Sequence, residues 1–192
     1  MGENQQNRRT GAGAKKQNDA RRAARRAARE AVLALLFETE YHEDEAPESI
    51  YLRAAEVRGL VTDGEEDATP VAIEPRDERY VRATYLGIMS NLEAIDEVIG
   101  RHATGWRTGR LSRVSRAVLR LGAYELVYAE NIPAPVAINE AVELCKKYDA
   151  PKARAFINGV LNAIKNEMAT ATATAEKPAA EIPAADTASD ED

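Results

Sequence analysis

Apolar residues recur along most of this chain at spacings of three and four, and polar residues fill the positions between them. The clearest series is Val81, Tyr85, Ile88, Leu92, Ile95 and Ile99, which steps by 4, 3, 4, 3 and 4 residues. That is one face of a helix, predicted over Arg76–Ile99 and ended by Gly100. Upstream, Asp19 reads as the cap of a helix running to about His42, with Ala24, Ala28, Ala31 and Leu35 on one stripe. Pro47 takes an N1-like position for a shorter helix to about Val61. Ser112 opens a helix to about Glu130 whose apolar residues (Val114, Ala117, Val118, Leu121, Ala123, Tyr124, Leu126, Val127) go most of the way round, the pattern of a central, buried helix. Pro133 and Pro135 break the chain before a helix over Val136–Tyr148. Pro151 starts the last helix, with Ile157, Val160, Leu161 and Ile164 inward. Strand-like alternation is weak and confined to 69–75. The predicted fold class is all-α.

The periodic part has clear edges. Residues 1–18 are Gln, Asn, Gly, Lys and Arg without apolar periodicity and are expected to form a disordered basic arm. Residues 169–192 are Ala/Thr/Pro/acid low complexity and are expected to form a disordered acidic tail. The folded domain is then 19–168, with an internal loop at 61–75 carrying Gly64, Pro70 and Pro75. Charge follows the same division. The formal net charge of −6 hides a segment 1–29 with nine basic and two acidic residues, and a segment 170–192 with one lysine against six acids. A basic arm on an acidic body points to a polyanion partner. No window approaches the roughly 18 apolar residues of a spanning helix, and the start lacks an apolar signal region. The single cysteine, Cys145, fits a reducing compartment. A soluble, cytoplasmic protein with no membrane partner is expected.

The stretch RRAARRAARE (21–30) carries the most chemistry. At about 100° per residue, Arg21, Arg22, Arg25, Arg26 and Arg29 fall within an arc of about 140°, with Ala23, Ala24, Ala27 and Ala28 opposite. Five guanidiniums on one face are expected to meet solvent and to bind phosphates or stack on bases. Other candidates carry less. His42 and His102 have no Cys, Asp or Glu at ligand spacing, so no metal site is expected. Cys145 reads as a small core residue. GAGAKK (11–16) lacks the full phosphate-loop pattern and follows no strand. Glu140 and Glu143, with Glu125 upstream, read as solvent-facing acids. No catalytic set and no cofactor site emerges; the chain reads as a binding protein, not an enzyme. Phe156, beside Lys152 and Arg154 at the start of the last helix, is either core or a base-stacking ring. Trp106 reads as a packing lid.

The segment 115–164 (SRAVLRLGAYELVYAENIPAPVAINEAVELCKKYDAPKARAFINGVLNAI) resembles the C-terminal half of the bacterial NusB transcription antitermination family. The specific pieces are AVLRLGAYEL (117–126), PVAINEAVELCKKY (135–148) and FINGVLN (156–162), with AAREAVLALLFETE (27–40) similar to the family's first helix. The resemblance covers about residues 19–168. It implies about seven helices in two packed helical subdomains. It also implies binding of the single-stranded boxA element of ribosomal-RNA leader transcripts together with NusE, a ribosomal small-subunit protein. Other Nus factors and RNA polymerase would complete the assembly that suppresses premature termination, and some members form homodimers. Carried onto this chain, the resemblance places RNA contacts at Arg25, Arg26 and Arg29, extended by Arg21 and Arg22, and at Lys152 and Phe156. It places NusE contacts at Phe37, Ser115 and Arg116. The position taken by Ser115 is often acidic in the family, and that of Lys152 is sometimes acidic. The alternative is an RNA-binding or ribosome-assembly scaffold that acts through NusE without boxA specificity. An RNA-methyltransferase appendage of the same fold would need a methyl-donor domain that this sequence lacks.

Overall fold

The computed structural model describes residues 3–60, 75–103, 111–129 and 131–175, with side chains described over 17–57, 76–103, 111–129 and 131–171. The described residues form seven helices and no strand. They are α1 (Glu3–Thr39), α2 (Pro47–Leu60), α3 (Pro75–Ser90), α4 (Leu92–His102), α5 (Arg113–Tyr128), α6 (Ala134–Tyr148) and α7 (Ala153–Ala175). Helices α1–α3 pack together as one unit and α4–α7 as a second. The two units join where α1 and α3 lie on α5.

Helix α5 is the hub, in contact with α1, α3, α4, α6 and α7. Its Ala117, Val118, Leu119, Leu121 and Ala123 are buried, so it turns apolar surface to all sides as its composition predicts. Gly122 lets α7 come close: a Cβ there would lie 2.8 Å from Leu161 Cδ1. The predicted cap is present, with Ser112 Oγ accepting from the Ser115 N–H at 2.9 Å. Pro133 flanks α6, and Pro135 sits in its first turn, where the missing N–H costs nothing.

Several helix boundaries differ from the sequence reading. Helix α1 starts at Glu3, so the arm expected to be disordered begins in helix and Asp19 lies inside rather than capping. Elongating an existing helix needs no new nucleus, and the Gln, Asn, Arg, Lys and Ala of this stretch are compatible with it. Helix α1 ends at Thr39, short of His42. The single helix predicted over 76–99 is two, broken at Asn91, whose side chain donates to the Gly87 carbonyl at 2.8 Å while its own carbonyl accepts from Ile95. The 4-3-4-3 series survives because the break keeps one buried face, and Gly100 lies within α4. Helix α7 runs past residue 168 to Ala175. Trp106 and most of the 61–75 loop lie outside the described residues.

Candidate nucleic-acid interface

The arginine face of α1 is set by how the helix is anchored. Residues 17–23 are exposed, Ala24 and Ala27 are half-buried, and Ala28 is the first fully buried position. Small residues at these positions let α1 approach its neighbours closely and leave the arginines standing above the contact. Arg21, Arg22 and Arg25 are exposed and make no ion pair or hydrogen bond with the described residues. Arg26 is half-exposed and reaches across to α6, where its Nε lies 3.4 Å from Glu140 Oε2. That hydrogen bond and charge hold the Arg26 pKa above its ordinary value.

Arg29 departs from the sequence reading. It is 5% exposed, its Nε donating to Glu125 Oε1 at 2.9 Å, with the guanidinium 5.9 Å from the Tyr80 ring centre. Glu125, expected to face water, is itself 1% exposed and also accepts from the Tyr80 hydroxyl. Burial works against the charge on Arg29, but Glu125 outweighs it and raises the pKa. Burial and the neighbouring carboxylate push the Tyr80 phenol far up, so it stays a hydrogen-bond donor. The exposed face therefore has four guanidiniums, not five, and Arg29 joins α1, α3 and α5 beneath them. One turn further on, positions 32, 33 and 36 are Val32, Leu33 and Leu36, all buried. Arg29 occupies the same angular sector as those three.

Clefts flank the arginines on both sides. One, of about 620 Å³, lies between Arg22, Arg25 and Arg26 and a wall of Ile132, Pro133, Pro135 and Val136. A second, of about 180 Å³, opens between α1 and the start of α3, lined by Arg25, Arg76, Asp77, Tyr80, Asn131 and Ile132 together with Arg29. Pro133 and Pro135 were read only as chain breakers and Glu140 as a solvent-facing acid, and the α3 start was not singled out, because all of them come next to α1 only through the tertiary fold. Lys152 is exposed in the turn before α7, and Phe156 is half-buried against the core. Neither lines the arginine clefts.

The residues assigned to a protein partner lie on another side of α1. Phe37 is 37% exposed and packs on Tyr41, ring centres 5.4 Å apart. It lines a mainly apolar cleft of about 260 Å³ with Leu33, Ala34, Val114 and Tyr148. Ser115 is not available there. It is 2% exposed and donates to Asp149, which also accepts from Ser112 Oγ and the Ala150 N–H at 2.7 Å each. Burial raises the Asp149 pKa, but these three donors together hold it below its ordinary value. Arg116 is partly buried, its Nη1 3.4 Å from Glu40 and its Nε without a hydrogen-bond partner. Arg113 and Arg120 also point at Glu40, and Arg120 forks onto Asp96 at 2.8 and 2.7 Å.

His42 lies 2.8 Å from Glu45, and His102 is paired with Glu167. Among the described residues no group of three metal-binding side chains forms, and no helix is long and apolar enough to cross a membrane. Cys145 is fully buried, and burial raises its thiol pKa.

Comparison with known proteins gives a consistent result. The NusB family model matches residues 26–166. The transcription antitermination protein NusB of Bacillus licheniformis is 37% identical over 144 residues, covering 75% of this chain and 98% of that protein. Among solved structures, Thermotoga maritima NusB superposes with a TM-score of 0.62 at 36% identity, covering 74% of this chain and 91% of the other. The crystal structure of antitermination factors NusB and NusE in complex with dsRNA gives 0.58 at 28% identity, with 76% and 98% covered. With a family match over residues 26–166 and a relative 37% identical over 144 residues, the chain belongs to the NusB family of transcription antitermination proteins.

Proposed function

We propose that this chain binds the boxA element of ribosomal-RNA leader transcripts together with NusE and so suppresses premature termination, acting in the cytoplasm with other Nus factors and RNA polymerase. It works by binding, without catalysis. The observation that carries the reading is the row of unpaired guanidiniums, Arg21, Arg22 and Arg25, with Arg26 beside them, above clefts with apolar walls. Unpaired cations attract phosphates, and walls such as Ile132 and Pro133 accept unstacked bases. The apolar cleft at Phe37, Leu33 and Val114 is the face for NusE or for a second copy of this chain. Lys152, exposed at the far end of α6, adds charge for a longer strand, and Phe156 serves chiefly as core.

A fluorescent boxA-type RNA and a scrambled control, each with and without NusE at near-physiological salt, test the reading. Preference for boxA that strengthens with NusE is expected, since the second surface raises effective concentration. Replacing Arg21, Arg22 and Arg25 together by Ala should weaken binding and flatten the salt dependence by about two log units per log unit of salt. The apolar cleft also fits a second reading, an assembly scaffold acting through NusE alone. NusE binding without boxA preference would establish that reading instead.

A further inference from the structure

Phosphate contacts hold a strand in place but carry no sequence information, so a chain that selects one RNA element needs groups that read base edges. The small cleft between α1 and α3 holds such groups. Besides the buried Arg29, its lining is the Tyr80 ring and Ile132 and four polar side chains, Arg25, Arg76, Asp77 and Asn131. None of these four has a hydrogen-bond partner among the described residues. Four polar side chains without a partner among the described residues, set beside apolar surface, is the composition of a ligand pocket rather than of a solvated helix face. Its volume of about 180 Å³ suits a single flat ring system. Asp77 in the first turn of α3 is favoured by the helix dipole, which accounts for its residue type. The dipole does not account for its place in the lining with Arg25 and Arg76.

Resting on the RNA-binding reading above, we propose that this cleft receives one unstacked guanine of the RNA strand, with Asp77 as the residue that selects it. A carboxylate is an acceptor-only group with two oxygens. Guanine presents two adjacent N–H donors on its Watson–Crick edge, N1–H and the N2 amine. Uracil places carbonyl oxygens on both sides of its single N–H, and adenine and cytosine each offer one amine beside a ring acceptor. Arg25 and Arg76 stand on either side of the cleft to hold the flanking phosphates, which brings a strand in from the exposed arginine face. Asn131 has both donor and acceptor atoms for the remaining base edge.

The test replaces each guanine of the bound RNA, one at a time, by inosine, which differs only in lacking the N2 amine. Wild-type protein should lose about tenfold in affinity at one guanine and little elsewhere, the effect of a hydrogen bond to a charged group. Asp77→Asn should remove that penalty, because an amide has one acceptor oxygen in place of two, while the melting temperature and the salt slope stay close to wild type. Arg76→Ala should keep the inosine penalty and lower the salt slope by roughly one phosphate contact. Preference for boxA with no inosine penalty at any guanine, or a penalty that persists in Asp77→Asn, overturns the guanine pocket and leaves the RNA-binding reading standing. Failure of the wild type to bind either RNA would remove both.

Discussion

Replacing Arg29 by Ala would strand the Glu125 carboxylate at 1% exposure with only the Tyr80 hydroxyl for company. Removing one partner of a buried pair costs about 3–5 kcal/mol, whereas Arg25→Ala on the exposed face should stay within about 0.5 kcal/mol. Urea denaturation of the two variants should separate them widely; equal stabilities would show that Arg29 does not carry this junction. Asp149 makes a second residue-scale prediction. Its pKa is depressed in the fold, so the stability it supplies is complete above the ordinary carboxylate pKa and is lost as the pH falls through the lower, folded value. Ser115→Ala removes one of its donors and should reduce stability at neutral pH by about 1–3 kcal/mol. It should also shrink the loss on acidification below about pH 4 relative to wild type. The burial of Arg29 runs against the expected solvent-facing arginine row, although the apolar residues three, four and seven places on carry a signal for it. The burial of Ser115 has no such signal, because nothing near it in the chain announces Asp149, 34 residues away.

At the scale of elements, the glycines show where helices meet. Gly100 in α4 has open space around its missing side chain, so Gly100→Ala should stabilise by up to about 1 kcal/mol through helix propensity. Gly122→Ala has the same propensity gain but drives a methyl into the fully buried Leu161, 2.8 Å from its Cδ1. Overpacking of about 1–3 kcal/mol should outweigh the gain, and thermal melts of the two variants should move in opposite directions. The interiors of α5, α6 and α7 were readable because a buried stripe imposes its period on the sequence, whereas α2 was read from Pro47 at its start. Their ends, and the break at Asn91, were less so. A helix boundary is decided by local hydrogen bonds such as Asn91 to Gly87, which leave no periodic trace. The clefts were least readable of all, since Arg76, Asp77 and Asn131 join Arg25 only when the start of α3 and the turn between α5 and α6 converge on the middle of α1.

For the whole molecule, the question is what the basic end adds. Removing residues 1–18 takes away Arg8, Arg9, Lys15 and Lys16 with one acid, Glu3. The side chains of 17–23 are exposed, so the melting temperature should hold while RNA affinity falls and its salt dependence weakens. A large drop in melting temperature would mean instead that this end supports the body. At about 1.5 Å per residue, the 37 residues of α1 span roughly 55 Å. Among its described side chains, 17–23 are exposed and burial begins at Ala24. In the RNA-binding reading, a helix of that length spreads basic residues from Arg8 to Arg26, and its field acts on how often encounters begin. How long they last is set by the groups in the clefts. The length of α1 thus separates the arrival of RNA from its retention, and ionic strength should govern the first far more than the second.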